Sequence, residues 1–316
     1  MALIVVIWVM TFFSIILSAF AFSMRTEVAA ARSFKEEAEA AALAEAGVAR
    51  AMVELVNARR SAESSPPSVP WYSSGEIPLG RGVYQILVTE EESRIPLNQA
   101  PAEVLDRLLQ GIGVADPSLR DTLVDSILDW RDPDDLHHLH GAETDYYQSL
   151  SHPFHPRNGD FQYLEELLLV KGMTREIFYG NVADKARLAD LLAKSPEERD
   201  FLPGEFLGIA RFLTVNGSSR VNIHTAGLDV LVALGVPAPE VKAILESRRG
   251  GLFQGQFPAS VQGIQLTTRS TTYRVESTGH LPELSWPYRI TAVLRVEPAP
   301  KGARIRVVSW KEGSET

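Results

Sequence analysis

Between Asp129 and Asp145 the chain reads DWRDPDDLHHLHGAETD, with carboxylates at Asp129, Asp132, Asp134, Asp135, Glu143 and Asp145 and one cation, Arg131. Pro133 and Gly141 make this segment a loop, so its oxygens can converge from several directions. So many like charges repel unless they are solvated or neutralised by a cation. Calcium accepts about six to eight hard oxygen ligands in loose geometry, which suits such a loop. The spacing departs from the regular D-x-D-x-D-G-x5-E calcium loop, and a fully solvated acidic loop is the bland alternative. His137, His138, His140, His152 and His155 fall in or beside the segment. Imidazoles with carboxylates could hold zinc, but no HExxH pattern accompanies them, and exposed loop histidines fit better.

Catalytic signatures are missing from the sequence: there is no GxxxxGK[ST] loop, no GxSxG elbow and no GxGxxG after a strand. Asp160, Glu165 and Glu166 could form an acid/base set, but acidic residues at an apparent helix start are better explained by the helix dipole. The 316 residues contain no cysteine, which excludes disulfides, thiolate metal sites and cysteine nucleophiles. The 40 acidic and 31 basic residues leave a net charge of −9, which disfavours a general phosphate-binding surface.

The elements that must carry the acidic loop begin with a membrane segment. Ala2 to Phe22 contains no charge, and the first is Arg25. The run covers roughly 30 Å as a helix, the thickness of a bilayer core. From Arg25 to about Asn57 the chain is rich in Ala, Glu and Arg, without proline, and Leu43, Gly47, Ala51 and Leu55 recur every four residues beside Val48, Met52 and Val56. This predicts one continuous helix, lipid-embedded first, solvated next, and packed on a soluble body at its end. Residues 57–82 read as a Ser/Pro/Gly loop. Strands are predicted at 83–89, 271–277, 288–296 and 304–310.

A helix-rich middle lies between these strands and contains a repeat. Arg94-Ile95-Pro96-Leu97-Asn98-Gln99-Ala100 matches Arg220-Val221-Asn222-Ile223-His224-Thr225-Ala226. Each copy continues into a helix, a glycine turn at Gly111 or Gly235, and a second helix ending near Arg131 or Arg249. The second copy runs on to Gly250-Gly251-Leu252-Phe253, whereas the first resumes only at Asn158-Gly159-Asp160-Phe161. Residues 132–157 therefore form an insertion that holds most of the acidic segment.

The N-terminal Met-Ala-Leu-Ile-Val-Val, the Ala-rich helix, the IPLNQA and VNIHTA repeat and the loop ending Gly-Ala-Glu-x-Asp-Tyr-Tyr together resemble the K-type minor pseudopilins of type II secretion systems. The resemblance implies an α+β, type IV pilin-like fold, in which a long N-terminal helix and a small antiparallel sheet carry a large inserted α-helical domain. The corresponding limits are 1–23 for the transmembrane part, 24–94 and 270–316 for the pilin-like body, and 95–269 for the insert, with helix-hairpin-helix or SAM-like units at about 95–180 and 220–265. It further implies a single-pass inner-membrane protein with a periplasmic body, without enzymatic activity. A leader removed by the prepilin peptidase and a methylated mature N-terminus at Met1 are also implied, although a truncated gene start would look the same.

Pilin-type subunits carry a glutamate at the fifth mature position that neutralises a neighbouring N-terminal amine; here that position is Val5. A subunit without it fits the end of a filament. The family accordingly implies a cap formed with I- and J-type minor pseudopilins, above the major pseudopilin and the inner-membrane assembly platform, and a structural calcium ion held by the acidic insertion. The rival reading is a membrane-anchored helix-hairpin-helix DNA-binding protein of a competence or type IV pilus system. It is weakened by the acidic surroundings of the first hairpin.

Overall fold

One helix, α1 (Ala2–Ser61), carries the whole N-terminal region and is about 90 Å long. The structure, a computed structural model, describes residues 2–61, 71–250, 258–284, 286–299 and 302–313, so Met1 lies outside the described residues. Every residue of α1 from 2 to 35 is exposed, Val5 included. Two hydroxyls in this stretch fold back on the helix: Thr11 donates to the Ile7 carbonyl at 2.6 Å and Thr26 to that of Phe22 at 2.7 Å. Their donors therefore need no water. Burial starts at Ala40 and recurs at Leu43, Ala44, Gly47, Val48 and Ala51, the spacing of one helical face.

That face lies on an antiparallel sheet. In chain order the strands are β1 (Trp71–Ser73), β2 (Ile77–Leu79) and β3 (Gly82–Glu90), then the short β4 (Ile95–Pro96), β5 (Leu213–Thr214), β6 (Arg220–Asn222), β7 (Ser260–Val261) and β8 (Ile264–Thr267), and finally β9 (Thr272–His280), β10 (Tyr288–Ala299) and β11 (Gly302–Gly313). The main sheet runs β1-β3-β9-β10-β11, with β2 also paired to β3. Tyr84, Ile86, Val88, Val275, Ile290, Ala292 and Leu294 face α1 and form a core with Leu43, Ala44 and Val48. The helix sits very close at Gly279, where a Cβ would overlap the Ala40 carbonyl and lie 2.7 Å from the Ala44 nitrogen. The segment expected as loop over 57–82 is more ordered than that in its described part. α1 continues to Ser61, and β1 and β2 pair with β3 because Trp71, Tyr72 and Ile77 favour extended backbone. Residues 62–70 lie outside the described residues.

Glu90, at the end of β3, is the register partner of Tyr273 in β9. The intervening chain, 91–271, thus leaves and re-enters the sheet between neighbouring strands. It builds a head with its own core, including Ile95, Leu105, Ile112, Leu123, Ile127, Tyr147, Phe178, Leu213 and Leu231. The head is not purely helical. Its helices α2 (Ala102–Gly111), α3 (Pro117–Arg131), α4 (Thr144–Gln148), α5 (Arg175–Tyr179), α6 (Lys185–Ala193), α7 (Leu228–Ala233) and α8 (Ala238–Gly250) are laced by β4–β5 and by β6–β8–β7.

Three consecutive buried carboxylates, Glu90, Glu91 and Glu92, join head to sheet. Glu90 Oε2 accepts from Asn222 Nδ2 at 2.9 Å, Thr225 Oγ1 at 2.7 Å and Ser270 Oγ at 2.5 Å. Burial without a cation raises its pKa. Glu91 is paired with Arg274 at 2.6 Å and Arg94 at 3.3 Å. Glu92 accepts from the backbone of Thr271 and Thr272 at 3.2 and 3.1 Å. All three glutamates bond the returning segment 270–274, and Glu90 and Glu91 also reach Asn222, Thr225 and Thr214, so the buried charge is satisfied by hydrogen bonds from the chain entering and leaving the head.

The two copies of the repeat share one turn. After α2, Gly113 N donates to the Gln110 carbonyl and Val114 N to Leu109; after α7, Gly235 N donates to Val232 and Val236 N to Leu231. Both are Schellman caps, and the glycines take φ of +110° and +78°. The turn glycine of the first copy is therefore Gly113, not Gly111, which is still helical. α2 has 10 residues and α7 has 6, so one extra turn shifts the alignment. In both copies the second helix sends an arginine back to the entry loop: Arg131 donates to the Leu97 and Ala100 carbonyls at 2.5 and 2.7 Å, and Arg248 to that of Ile223. The continuation of the second copy, Gly251-Leu252-Phe253, lies outside the described residues.

Candidate metal centre

The acidic insertion hangs from the last turn of α3. Asp129 is fully buried at that turn, Asp132 caps the helix, and Pro133 turns the chain away. The chain then folds back so that Gly141 passes Asp129 so closely that a Cβ would overlap its carboxylate. Glu143 follows, 1% exposed, and α4 then anchors the return. The anchor is aromatic: Tyr147 packs edge-on to Trp130 at 5.3 Å between centroids, and Phe161 stacks on the other side at 6.0 Å. These contacts turn a charged loop into an ordered one.

The fold brings Asp129, Asp132, Asp134 and Glu143 together. Single ligand atoms of Asp132, Asp134 and Glu143 lie within 4.8 Å of one another, as do those of Asp129, Asp132 and His138. Asp129 Oδ2, Asp132 Oδ1 and both Glu143 oxygens are buried without a hydrogen-bond partner. A buried carboxylate oxygen without a donor is strongly unfavourable unless a proton or cation meets it. Accordingly burial, with the surrounding Asp129, Asp132, Asp135 and Asp134, pushes the Glu143 carboxyl up to about 7. Burial and the Asp134 and Asp129 charges also raise Asp132. Orphaned oxygens converging from α3, its cap and the returning arm fit a hard divalent cation such as calcium.

The remaining candidates do other work. Asp135 accepts from Thr144 Oγ1 at 2.7 Å and Asn158 Nδ2 at 3.1 Å, which lower its pKa and staple the loop to the residues after it. Asp145 is exposed, pairs with His137 Nε2 at 2.9 Å and accepts from the Tyr146 amide at 2.7 Å. It stands outside both clusters. His138 is an exposed loop residue, as expected, but its Nδ1 also lies on Asp129 Oδ1, and that bond raises its pKa. A protonated His138 can thus neutralise one side of Asp129 while Oδ2 faces the cluster. Asn158 was not among the expected site residues. Its amide donates to the Asp134 carbonyl at 3.1 Å, and its Oδ1 is buried without a partner. The sequence hint is the Asn158-Gly159 pair just after the insertion, and the structure gives Asn158 a φ of +45°. Glu166, considered for acid/base chemistry, is held by Arg157 at 2.6 Å and accepts from the Gln162 and Tyr163 amides.

The hairpin turns do not resemble phosphate sites. The Gly113 and Val114 amides are consumed by the cap, and the Ile112 carbonyl accepts from Leu207 N at 3.0 Å. Ile112 and Val114 are buried. A backbone so engaged has no amide to offer a nucleic acid.

Comparison with known proteins points the same way. Residues 83–179 match the first-domain model of type II secretion system protein K. A protein K of Escherichia coli strain K12 is 40% identical over 78 residues, covering 25% of this chain. The match spans only 24% of that relative's own length. The crystal structure of the GspK-GspI-GspJ complex from the enterotoxigenic Escherichia coli type 2 secretion system aligns with a TM-score of 0.62, covering 90% of this chain and 99% of that one at 14% identity. The likeness in structure extends the fold across nearly the whole molecule, and the DNA-binding alternative finds no support among these matches. A protein K-type domain at residues 83–179 is thus set in a helix-and-sheet framework that shares the fold of the solved complex.

Proposed function

We propose that this chain is a non-enzymatic structural subunit that caps and initiates a secretion pseudopilus, with its head stabilised by calcium. One observation carries the reading. A helix exposed along residues 2–35, and uncharged up to Met24, packs its later turns on a sheet whose adjacent strands β3 and β9 carry the inserted head. Exposed apolar residues such as Leu3, Trp8, Phe12 and Phe20 need lipid or neighbouring helices around them. The helix is long and apolar enough to cross a membrane. Val5 offers no carboxylate to a neighbouring N-terminal amine, which favours a terminal place. In this reading the apolar half of α1 anchors in the inner membrane and the head stands in the periplasm.

The structural relative was solved with GspI and GspJ, and we assign the corresponding I- and J-type subunits as this chain's partners. Processing by prepilin peptidase, methylation of Met1, the major pseudopilin and the assembly platform complete the same reading. The test uses the full chain, co-expressed in membranes with I- and J-type subunits and extracted in mild detergent. A stable ternary complex, and immunolabelling confined to fibre tips, is expected. Label distributed along fibres, or no complex, overturns the assignment.

Asp129, Asp132, Asp134 and Glu143 would hold the calcium, which would supply the positive charge their buried oxygens lack. Its role is to tie the insertion to α3. Direct binding to the full chain, measured by calorimetry, tests this point separately.

A further inference from the structure

We infer that Lys171 is a positioning residue for the metal centre: it holds the arm that delivers Glu143. Lys171 lies outside the insertion, in the turn Val170-Lys171-Gly172-Met173 that follows the 3-10 segment Leu164–Leu169. Its ammonium donates to the carbonyls of Gly141 at 2.8 Å and His140 at 3.2 Å. It also lies 5.0 Å from the centroid of the Tyr146 ring. The backbone amide of the same residue donates to the Tyr147 hydroxyl at 3.3 Å. One residue thus grips the arm on both sides of Glu143.

The grip has a geometric consequence. Gly141 is the point where the arm touches Asp129, with no room for a side chain, and Glu143 is two residues further on. Fixing the Gly141 carbonyl therefore fixes the approach of Glu143 to Asp132 and Asp134, the residues with which it clusters. The Gly141 and His140 carbonyls point to the ammonium and are satisfied without a metal. Lys171 acts through this arm, and preorganisation of that kind lowers the ordering that binding must otherwise impose.

This inference rests on the calcium reading, and the experiment separates the two. Calcium affinity is measured on the full chain in detergent by competition with a chromophoric chelator, for wild type, Lys171→Met and Lys171→Arg. Lys171→Met keeps the apolar stem but removes the donors, and it is expected to weaken calcium about 10–100-fold. Lys171→Arg restores donors and charge and is expected to recover most of that loss. The melting temperature in chelator is read alongside, because a purely structural lysine would lower it without changing affinity. If Lys171→Met does not fold in chelator, its calcium dissociation rate is measured from the loaded state and is expected to rise about tenfold or more. Unchanged affinity, or an unchanged release rate, in Lys171→Met overturns the inference. A wild type that binds no calcium overturns the calcium reading itself, and with it this one.

Discussion

Removing one charge at Glu143 should have opposite effects with and without calcium. The folded chain raises this carboxyl from 4.5 to about 7, because it is buried among Asp129, Asp132, Asp135 and Asp134. A raised carboxyl favours the protonated form in the folded state. Below pH 4.5, where both states are protonated, there is no penalty. The penalty grows between pH 4.5 and 7 and is complete above 7. A shift of this size corresponds to about 3 kcal/mol of lost stability at pH 8. Glu143→Gln removes the charge and keeps the shape. In chelator at pH 8 it should raise the melting temperature by about 6–12 °C if the whole penalty is relieved. At pH 4.5 most of the difference should be gone, leaving a few tenths of a kcal/mol. In saturating calcium the order should invert, because wild type gains from a ligand bound only to its folded state and the variant has lost an anionic oxygen. Near-ultraviolet circular dichroism of the full chain in detergent follows the melt, with Trp130 reporting beside the site. A variant that is less stable by the same amount in both conditions would refute the argument.

Other consequences can be measured in the same way. Gly141→Ala places a methyl group in the Asp129 carboxylate, so calorimetry should show calcium affinity reduced by tenfold or more. Gly279→Ala forces α1 off the sheet at the Ala40 carbonyl, and denaturant unfolding should show a loss of about 1–3 kcal/mol, more if the helix cannot shift. Glu91→Gln leaves Arg274 and Arg94 facing a neutral group in a buried joint, for a loss of about 3–5 kcal/mol. Hydrogen exchange at 90–94 and 270–274 should localise that loss to the junction.

Legibility varied with the range of the interaction. The α1 face at Leu43, Gly47 and Ala51 was visible because helical periodicity is local, and β3, β9, β10 and β11 were visible because alternation is local too. The turn glycine lies two residues beyond the expected one because Gly111 and Gly113 both suit a turn in sequence, and only the cap hydrogen bonds distinguish them. The strands β1 and β2 were missed because three residues among Ser, Gly and Pro carry little pattern of their own. They become strands by pairing with β3.

The amino-acid order by itself determined the oily N-terminal rod, the strands that flank a helical middle, and the crowd of carboxylates after α3, since each depends on residue type and short spacing. Only the tertiary structure decided which carboxylates meet. Asp132, Asp134 and Glu143 are drawn together by the return of the arm past Asp129, whereas Asp145, two residues beyond Glu143, turns outward to His137. Burial is the physical reason. It strips water from some oxygens and leaves others wet, and the packing of Trp130, Tyr147 and Phe161 sets that boundary from parts of the chain far apart in sequence.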